Sequence, residues 1–199
     1  MLRRSLLTSA IAASLLTTFS LPAFATQVYE TDLVIIGGGL SGLAAAQSAV
    51  DQGAKPIVLE KEAALGGGGN FPEGSLGVGT RYQKEHNINT TVDQVLTAAL
   101  QYHHYRADPH VLRVLIEESG KTIDWVMDKG AQMRGIRTMY PKDESLMTWH
   151  LFKGGAAGII QRFAKEVRAK GGTILTETPA KKLIVENGKV VGVEAVDGE

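Results

Sequence analysis

DLVIIGGGLSGLAAAQSAVDQGAKPIVLEKEAALGGGGN, residues 32–70, is the stretch that decides the fold. It begins with the apolar, β-branched run Leu33–Ile36, which is typical of a buried strand in a parallel sheet. Leu43 to Gln52 is rich in alanine and predicts a helix that ends at Gly53. Pro56–Leu59 then predicts a second apolar strand. Strand, helix and strand in this order predict an α/β fold with a parallel sheet.

The glycines between the first strand and the helix fill the spacing G-x-G-x-x-G. Gly37 permits the tight turn, Gly39 lets the backbone approach a pyrophosphate, and Gly42 lets the helix pack closely on its strand. The helix N-terminus directs free N–H groups and a positive dipole end toward phosphates. Glu60 follows the second strand, 21 residues after Gly39, where an acidic residue accepts hydrogen bonds from an adenosine ribose. The pattern predicts a Rossmann-like dinucleotide site, and an ordinary crossover without a nucleotide is the alternative interpretation.

A run of four glycines, Gly66–Gly69, follows the second strand. Nicotinamide-binding folds usually continue here with a crossover helix, whereas a glycine tract lets the main chain lie against a flat or phosphorylated ligand. Residues 70–79 continue in a loop-like composition. A flexible surface loop is the alternative interpretation of this passage.

Four segments resemble one protein family: VIIGGGLSGLAAA, LEKEAALGG, WHLFKGGAAGII and ETPAKKLIVENGKVVGVEA. They are similar to the FAD-binding domain of the fumarate reductase/succinate dehydrogenase flavoproteins, especially the soluble, exported branch with flavocytochrome-type fumarate reductases and urocanate reductases. The resemblance implies a Rossmann-like domain with a parallel sheet and a β-hairpin. It also implies that residues 26–199 are the N-terminal portion of a longer FAD-binding domain, with the capping domain absent.

The resemblance assigns cofactor contacts by position. The residues expected near FAD are Gly37, Gly39, Ser41 and Gly42 at the pyrophosphate, Glu60 at the adenosine ribose, Gly67, Gly68, Gly69 and Gly74 in the loop toward the flavin, and Ala180 at the adenine. The family usually has asparagine where Gly68 stands, so backbone contacts are expected there, and Asn70 comes two positions later. No histidine occurs between Glu60 and Arg81, so the FAD is expected to be non-covalent.

The first 25 residues have the pattern of a bacterial export signal. A basic start at Arg3 and Arg4 precedes an apolar stretch and the cleavage pattern Ala23-Phe24-Ala25. The arginine pair partly fits a twin-arginine signal, so the export route stays open between the general and twin-arginine pathways. The sequence predicts a periplasmic protein without a membrane span once the signal is removed, and an uncleaved anchor is the alternative.

Composition excludes several classes of protein. Without residues 1–25 the net charge is about −2, whereas proteins that bind nucleic acid carry a basic excess. The chain has no cysteine, which excludes disulfides, iron–sulfur clusters and covalent c-type haem in this chain. His103, His104 and His110 invite a metal site, but adjacent histidines point to different helix faces, so we expect no metal.

The remaining elements follow from local signals. Thr91 and Asp108-Pro109 predict helix starts, the second helix being interrupted near Ser119-Gly120. Residues 134–150 are expected to be irregular, with His150 either facing the flavin or structural. The segment Gly154-Gly155-Ala156-Ala157-Gly158 is expected to face a phosphate at the start of a helix over 159–170. A strand over 173–176 and a hairpin with an Asn187-Gly188 turn complete the prediction.

By resemblance, the function is hydride transfer between flavin N5 and an activated C=C bond of a small unsaturated acid. In the family, the proton-donating arginine and the substrate clamp lie beyond Glu199, so the catalytic residues are unknown here. An electron-donor protein or domain is a plausible partner. Two alternatives stay open: a truncated FAD-binding fragment without activity, and an NAD-dependent Rossmann dehydrogenase. A half-built sheet is expected to expose an edge and apolar surface.

Overall fold

The computed structural model describes residues 27–139 and 146–196. The helices and strands in these ranges are β1 (Leu33–Ile36), α1 (Leu40–Asp51), β2 (Pro56–Leu59), β3 (Gly74–Leu76), α2 (Arg81–Glu85), α3 (Val92–Tyr102), α4 (Pro109–Asp128), β4 (Met133–Thr138), β5 (Met147–Phe152), α5 (Gly155–Ala169), β6 (Thr173–Leu175), β7 (Ala180–Glu186) and β8 (Lys189–Ala195). A 3₁₀ turn, Gly67–Asn70, lies between β2 and β3. The predicted export signal, residues 1–25, lies outside the described residues.

A parallel sheet with the order β1-β2-β6 carries the first part of the fold. Every residue of β2 is buried, as expected for a strand covered on both faces. β1 is an edge strand of the sheet that the described residues form, and Leu33 and Ile36 are 42% and 57% exposed. The prediction of a buried first strand is therefore wrong at both ends of β1. The α/β strand–helix–strand prediction and its third parallel strand are confirmed.

Helices α1 and α5 pack against each other and against this sheet. On α5, buried side chains recur at Ile159, Ile160, Phe163 and Val167, a spacing that places them on one helix face. They meet Leu43 of α1 and residues of the sheet in the main hydrophobic core. This packing holds the start of α1 against the end of β1. It also holds the turn between them, residues 37–39, which we call the glycine turn.

A second, antiparallel sheet has the order β3-β5-β4. The prediction that residues 134–150 are irregular is wrong, because β4 and most of β5 lie in this range. Burial alternates along β5, but two of its inward residues are polar, Thr148 and His150, each fully buried. Polar side chains at inward positions disguise the period-two pattern by which a strand is recognised.

Side-chain caps begin the helices of the second half. The hydroxyl of Thr91 accepts from the N–H of Gln94, whose Oε1 accepts from the N–H of Thr91. The Asp108 carboxylate accepts from the first amides of α4, so both predicted helix starts are confirmed. A further capping box, Thr80 with Gln83, begins α2. We did not predict α2, because this helix of 5 residues lies next to a loop-like passage.

α4 continues without a break through Ser119 and Gly120, so the predicted interruption is wrong. The hydroxyl of Ser119 donates to the carbonyl of Ile116 over 2.7 Å and accepts from the N–H of Val78 over 3.1 Å. A Cβ on Gly120 would overlap the Val78 carbonyl oxygen. The two small residues let a loop lie against the helix. None of the helices in the described ranges combines the length and apolarity needed to cross a bilayer.

β7 and β8 form the expected antiparallel hairpin. Asn187 and Gly188, at its turn, have φ angles of 50° and 77°. Positive φ at both central residues defines the type I′ turn that Asn-Gly favours. The hairpin prediction is confirmed.

Candidate functional site

The site begins where β1 runs into α1. Gly37 has a φ of 102°, which favours glycine, and Gly39 is extended at the helix N-cap with φ −75°. The first helical hydrogen bond runs from the N–H of Leu43 to the carbonyl of Gly39 over 2.9 Å. The chain therefore reverses within a few residues and aims the start of α1 into open space at the end of the strand.

Gly42 and Gly39 are glycine for different reasons. A Cβ on Gly42 would overlap the carbonyl oxygen of Gly37 and lie 3.4 Å from Cγ2 of Ile35. A Cβ on Gly39 would meet only the carbonyl oxygen of Gly66, at 3.7 Å, an ordinary contact. Neither its φ nor its protein neighbours require glycine at position 39. The space beside Gly39 is free for a ligand.

The N-terminus of α1 has no side-chain cap, and its first turn contains no acidic residue. The amides of Leu40, Ser41 and Gly42 have no acceptor a turn earlier in the helix. The positive end of the helix dipole adds to these free donors. A pyrophosphate would satisfy both features, so the observed geometry fits a dinucleotide.

Glu60 lies directly behind the glycine turn. Its Oε2 accepts from the N–H of Gly38 over 2.7 Å, and its Oε1 accepts from the N–H of Glu62 over 2.9 Å. The residue is 8% exposed. A carboxylate offers about four lone-pair sites, so two backbone bonds orient the group and leave acceptor capacity for two hydroxyl donors. Vicinal ribose hydroxyls match that capacity.

The glycine tract lies alongside the glycine turn. The N–H of Gly66 donates to the carbonyl of Gly38 over 2.9 Å, and Gly66 pairs with Gly39 in a parallel bridge. Between the turn and the tract is a cavity of about 400 Å³. Its lining residues are Ile36, Gly37, Gly39, Leu40, Ser41, Gly42, Gly66, Gly67, Gly68 and Gly69.

Gly68 faces open space. A Cβ on Gly68 would have no protein atom within 4 Å, and its φ is not in the left-handed region. Gly67 is equally open but has a φ of 48°, which itself favours glycine. As at Gly39, nothing in the protein explains the missing side chain at Gly68. The open space beside Gly68 leaves room for a ligand to approach the backbone closely.

Three expected contact residues, Glu60, Gly74 and Ala180, lie outside the cavity lining. Gly74 begins β3, where a Cβ would overlap the carbonyl oxygen of His150, so close strand pairing alone accounts for this glycine. Ala180 begins β7 opposite Ala195. It follows shortly after Thr178, whose N–H donates to the carbonyl of Glu60 over 2.8 Å. The start of β7 is thus tied to the same residue that we expect at the ribose.

The glycines at the start of α5 do not join this cavity. The N–H of Ala156 donates to the carbonyl of Pro72 over 2.9 Å, and a Cβ on Gly155 would lie 3.0 Å from the same oxygen. This helix start therefore packs on the loop before β3. This arrangement does not support the expectation that residues 154–158 face a phosphate.

His150 is fully buried in β5 and has a structural role. Its Nδ1 lies 3.0 Å from the carbonyl of Thr148, which only accepts, so Nδ1 carries the proton. Its Nε2 lies 2.8 Å from the hydroxyl of Thr80. Burial lowers the pKa of His150 below its ordinary value, although the Thr148 carbonyl and Asp124 partly oppose the shift. Burial therefore favours the neutral imidazole in the folded chain.

This lowered pKa predicts a pH-dependent stability. Below about pH 6.5 the unfolded chain binds a proton at His150 that the folded chain does not bind. As the pH is lowered below this value, the free energy of unfolding should therefore decrease by up to about 1.4 kcal/mol per pH unit. The decrease should end at the pKa of His150 in the folded chain. Urea unfolding between about pH 7 and pH 5 measures the slope. His150→Asn should flatten it, whereas His110→Asn, at an exposed position, should not. An equal slope in the unchanged chain and in both variants would contradict the assignment of this pH dependence to His150.

Sequence reasoning missed some parts of the site. Ile36 and Leu40 line the cavity, and the amide of Gly38 orients Glu60. Ile36 and Leu40 directly flank the glycine turn, so their position in the motif was the available signal. Nothing local indicated that Thr178 contacts Glu60, because the two residues are far apart in sequence.

A strand–turn–helix with free amides, an acidic residue after the second strand and a glycine tract defines a dinucleotide-binding domain. Comparison with known families identifies it further: residues 32–199 match the model of the FAD binding domain. The chain belongs to this family, whose members include the FAD-dependent oxidoreductases of the fumarate reductase type. The family resemblance and the α/β fold class predicted from the sequence are confirmed.

Two curated relatives are similar along most of this chain. The vinyl phenol reductase of Lactiplantibacillus plantarum is 34% identical over 164 residues, which are 81% of this chain and 33% of the relative. The NADH:fumarate oxidoreductase of Klebsiella pneumoniae is 28% identical over 180 residues, 84% of this chain and 18% of the relative. The chain thus spans a third or less of the length of these two relatives.

A solved structure is similar in fold. The open conformation of a flavocytochrome c3 fumarate reductase superposes with a TM-score of 0.71 over 84% of this chain and 30% of that chain, at 22% identity. This likeness supports the fold described above. The FAD family also favours a flavin over the nicotinamide alternative that Glu60 alone would permit.

Proposed function

We propose that this chain binds FAD non-covalently in the cavity between its glycine turn and glycine tract. The observation that carries the proposal is one cavity lined both by the uncapped start of α1 and by two glycines, Gly39 and Gly68, that no protein contact requires. The Glu60 carboxylate is not part of this lining, but it is oriented by the amide of Gly38, which lies between the lining residues Gly37 and Gly39.

In this proposal, the cavity and the residues beside it contact different parts of FAD. The amides of Leu40, Ser41 and Gly42 donate to the pyrophosphate. Glu60 accepts from the ribose hydroxyls, and the backbone near Ala180 contacts the adenine. The tract from Gly66 to Gly69 lets the main chain lie against the cofactor. The cavity lining contains no histidine, cysteine or tyrosine that could attach a flavin, which supports non-covalent binding.

The proposed reaction is reduction of an activated C=C bond of a small unsaturated acid, or its reverse. Bound FAD supplies hydride transfer at N5, and the protein supplies position and charge stabilisation. Support comes from two relatives: the vinyl phenol reductase is named for a substrate with a C=C bond, and the NADH:fumarate oxidoreductase is named for an unsaturated acid. An electron-donor protein or domain and an exported, periplasmic location are parts of the same proposal.

A second candidate is FAD binding without turnover by this chain. Among the described arginines, Arg81, Arg113 and Arg134 pair with carboxylates at 2.7–2.9 Å, and no arginine lines the cavity. A guanidinium held by a carboxylate away from the cofactor site is poorly placed to donate a proton to a substrate. For these three arginines, the arrangement favours FAD binding without a catalytic role.

Absorbance spectroscopy tests the proposal directly. The purified chain is expected to show a flavin band that moves to the supernatant after acid precipitation. A band that stays in the pellet would contradict non-covalent binding, and a folded chain that stays colourless with added FAD would contradict the cofactor assignment. A reduced viologen dye with fumarate, acrylate or vinyl phenol then tests turnover. Reoxidation of the dye supports the reductase proposal, and its absence supports the second candidate.

Glu60→Gln is expected to weaken FAD binding about tenfold or more, because a charge-assisted hydrogen bond contributes about 1.5–3 kcal/mol. Flavin fluorescence titration measures the dissociation constant. Circular dichroism at the same temperature checks that the variant is folded, since Glu60 also holds two backbone amides. Glu186→Gln, on the exposed hairpin, is the matched control. Equal FAD affinity in Glu60→Gln and the unchanged chain would contradict the ribose role.

A further inference from the structure

Asn70 closes the glycine tract from its far end. Its Nδ2 donates to the carbonyl of Leu65 over 3.0 Å, so the side chain reaches back across the whole tract. A Cβ on Gly66 would overlap the amide group of Asn70. The asparagine side chain thus occupies the space that the missing side chain of Gly66 leaves open.

Gly66 is the residue through which the tract is held. It has a φ of 107°, and it makes two backbone hydrogen bonds. Its N–H donates to the carbonyl of Gly38 over 2.9 Å, which ties the tract to the glycine turn. Its carbonyl accepts from the N–H of Gly69 over 2.8 Å, which forms the 3₁₀ turn. The conformation of Gly66 therefore sets both the place and the shape of this cavity wall.

We propose that Asn70 is a positioning residue: it locks Gly66, and so holds Gly67 and Gly68 in the shape that receives the cofactor. Asn70 is not among the residues that line the cavity, and one donor of its exposed amide is engaged by the Leu65 carbonyl. It acts through the backbone of the tract rather than on the cofactor. The inference rests on the proposed binding of FAD in this cavity.

The lock has a measurable consequence before any cofactor is added. Glycine residues lose more backbone entropy than any other residue when they are ordered, so a run of four glycines needs an external tie. Removing the Asn70 side chain removes that tie. The hydrogen bonds of Gly66 and Gly69 should then open more often, and the cofactor must order the tract on binding. Affinity for FAD should fall accordingly.

The experiment uses the full chain with Asn70→Ala and Asn70→Leu, the second of which keeps the size of the side chain without its donor. Asn89→Ala, at an exposed position between α2 and α3, is the matched control. Amide hydrogen exchange by NMR is measured on the cofactor-free chain, and the FAD dissociation constant is measured by fluorescence at a temperature where all variants are folded. We expect faster exchange at Gly66 and Gly69 and about tenfold weaker FAD binding in both Asn70 variants. The control should change neither quantity.

Several outcomes would overturn the inference. Unchanged exchange with weaker FAD binding would mean that Asn70 contacts the cofactor directly. Faster exchange at Gly66 and Gly69 with unchanged affinity for FAD would mean that cofactor binding does not depend on the contact between Asn70 and the tract. If the unchanged chain itself fails to bind FAD, the proposed function fails. The exchange of the two glycine amides still decides in that case whether Asn70 holds the tract.

Discussion

Gly42→Ala is expected to destabilise this chain by about 3 kcal/mol or more, a large fraction of the stability of a typical domain. Helix propensity alone predicts the opposite, because alanine in place of a helical glycine stabilises by about 1 kcal/mol. Steric overlap decides the sign. The added Cβ would overlap the carbonyl oxygen of Gly37, a backbone atom in the turn between β1 and α1. Relief requires α1 to move away from its strand, and the core around Leu43 moves with it.

Urea unfolding followed by circular dichroism measures this loss. Gly192→Ala is the matched control, because it makes the same change in β8, where the nearest atom to the new Cβ is the flexible Cδ1 of Ile184 at 3.3 Å. The control should stay within about 1 kcal/mol of the unchanged chain. A Gly42→Ala chain as stable as the control would show that the third glycine of the motif is not a packing requirement here.

Gly39→Val and Gly68→Val are expected to remove FAD binding while leaving the fold intact. At both positions the backbone accepts a Cβ without overlap, since the nearest contact of that atom is 3.7 Å at Gly39 and beyond 4 Å at Gly68. The branched side chain would fill the space beside the α1 amides or on the tract. Repulsion or displacement of the pyrophosphate should cost at least about 3 kcal/mol, more than a hundredfold in affinity.

The two readouts for these variants are the FAD dissociation constant and the midpoint of urea unfolding without cofactor. Gly192→Val is the control for adding a branched side chain away from the cavity. The expected result is an unchanged midpoint with lost FAD binding at both site positions. Full affinity in Gly68→Val would place the cofactor away from the tract, and full affinity in Gly39→Val would place it away from the start of α1.

These two predictions separate motif glycines that look alike in the sequence. The spacing G-x-G-x-x-G identified Gly37, Gly39 and Gly42 together, and it placed them correctly between β1 and α1. Only the atomic surroundings show that packing requires glycine at position 42, whereas no protein contact requires it at position 39. The tract is similar, because Gly66 is required by its φ and by Asn70, whereas Gly68 is required by neither.

Sequence by itself determined the elements whose signals are local. These elements are the β1–α1–β2 unit, the caps at Thr91 and Asp108, and the Asn187-Gly188 turn. Each depends on residues within a few positions of one another, and their hydrogen bonds form within that span.

Tertiary structure alone decided the rest. β5 is a strand although Thr148 and His150 face inward, α4 passes through Gly120 because Val78 packs there, and Asn70 bonds to Leu65 instead of pointing at the cavity. In the first two cases the deciding contact joins residues far apart in the chain, and in the third it depends on how the glycine tract folds back on itself. Local periodicity carries no information about contacts of either kind, since they form only when packing brings the partners together.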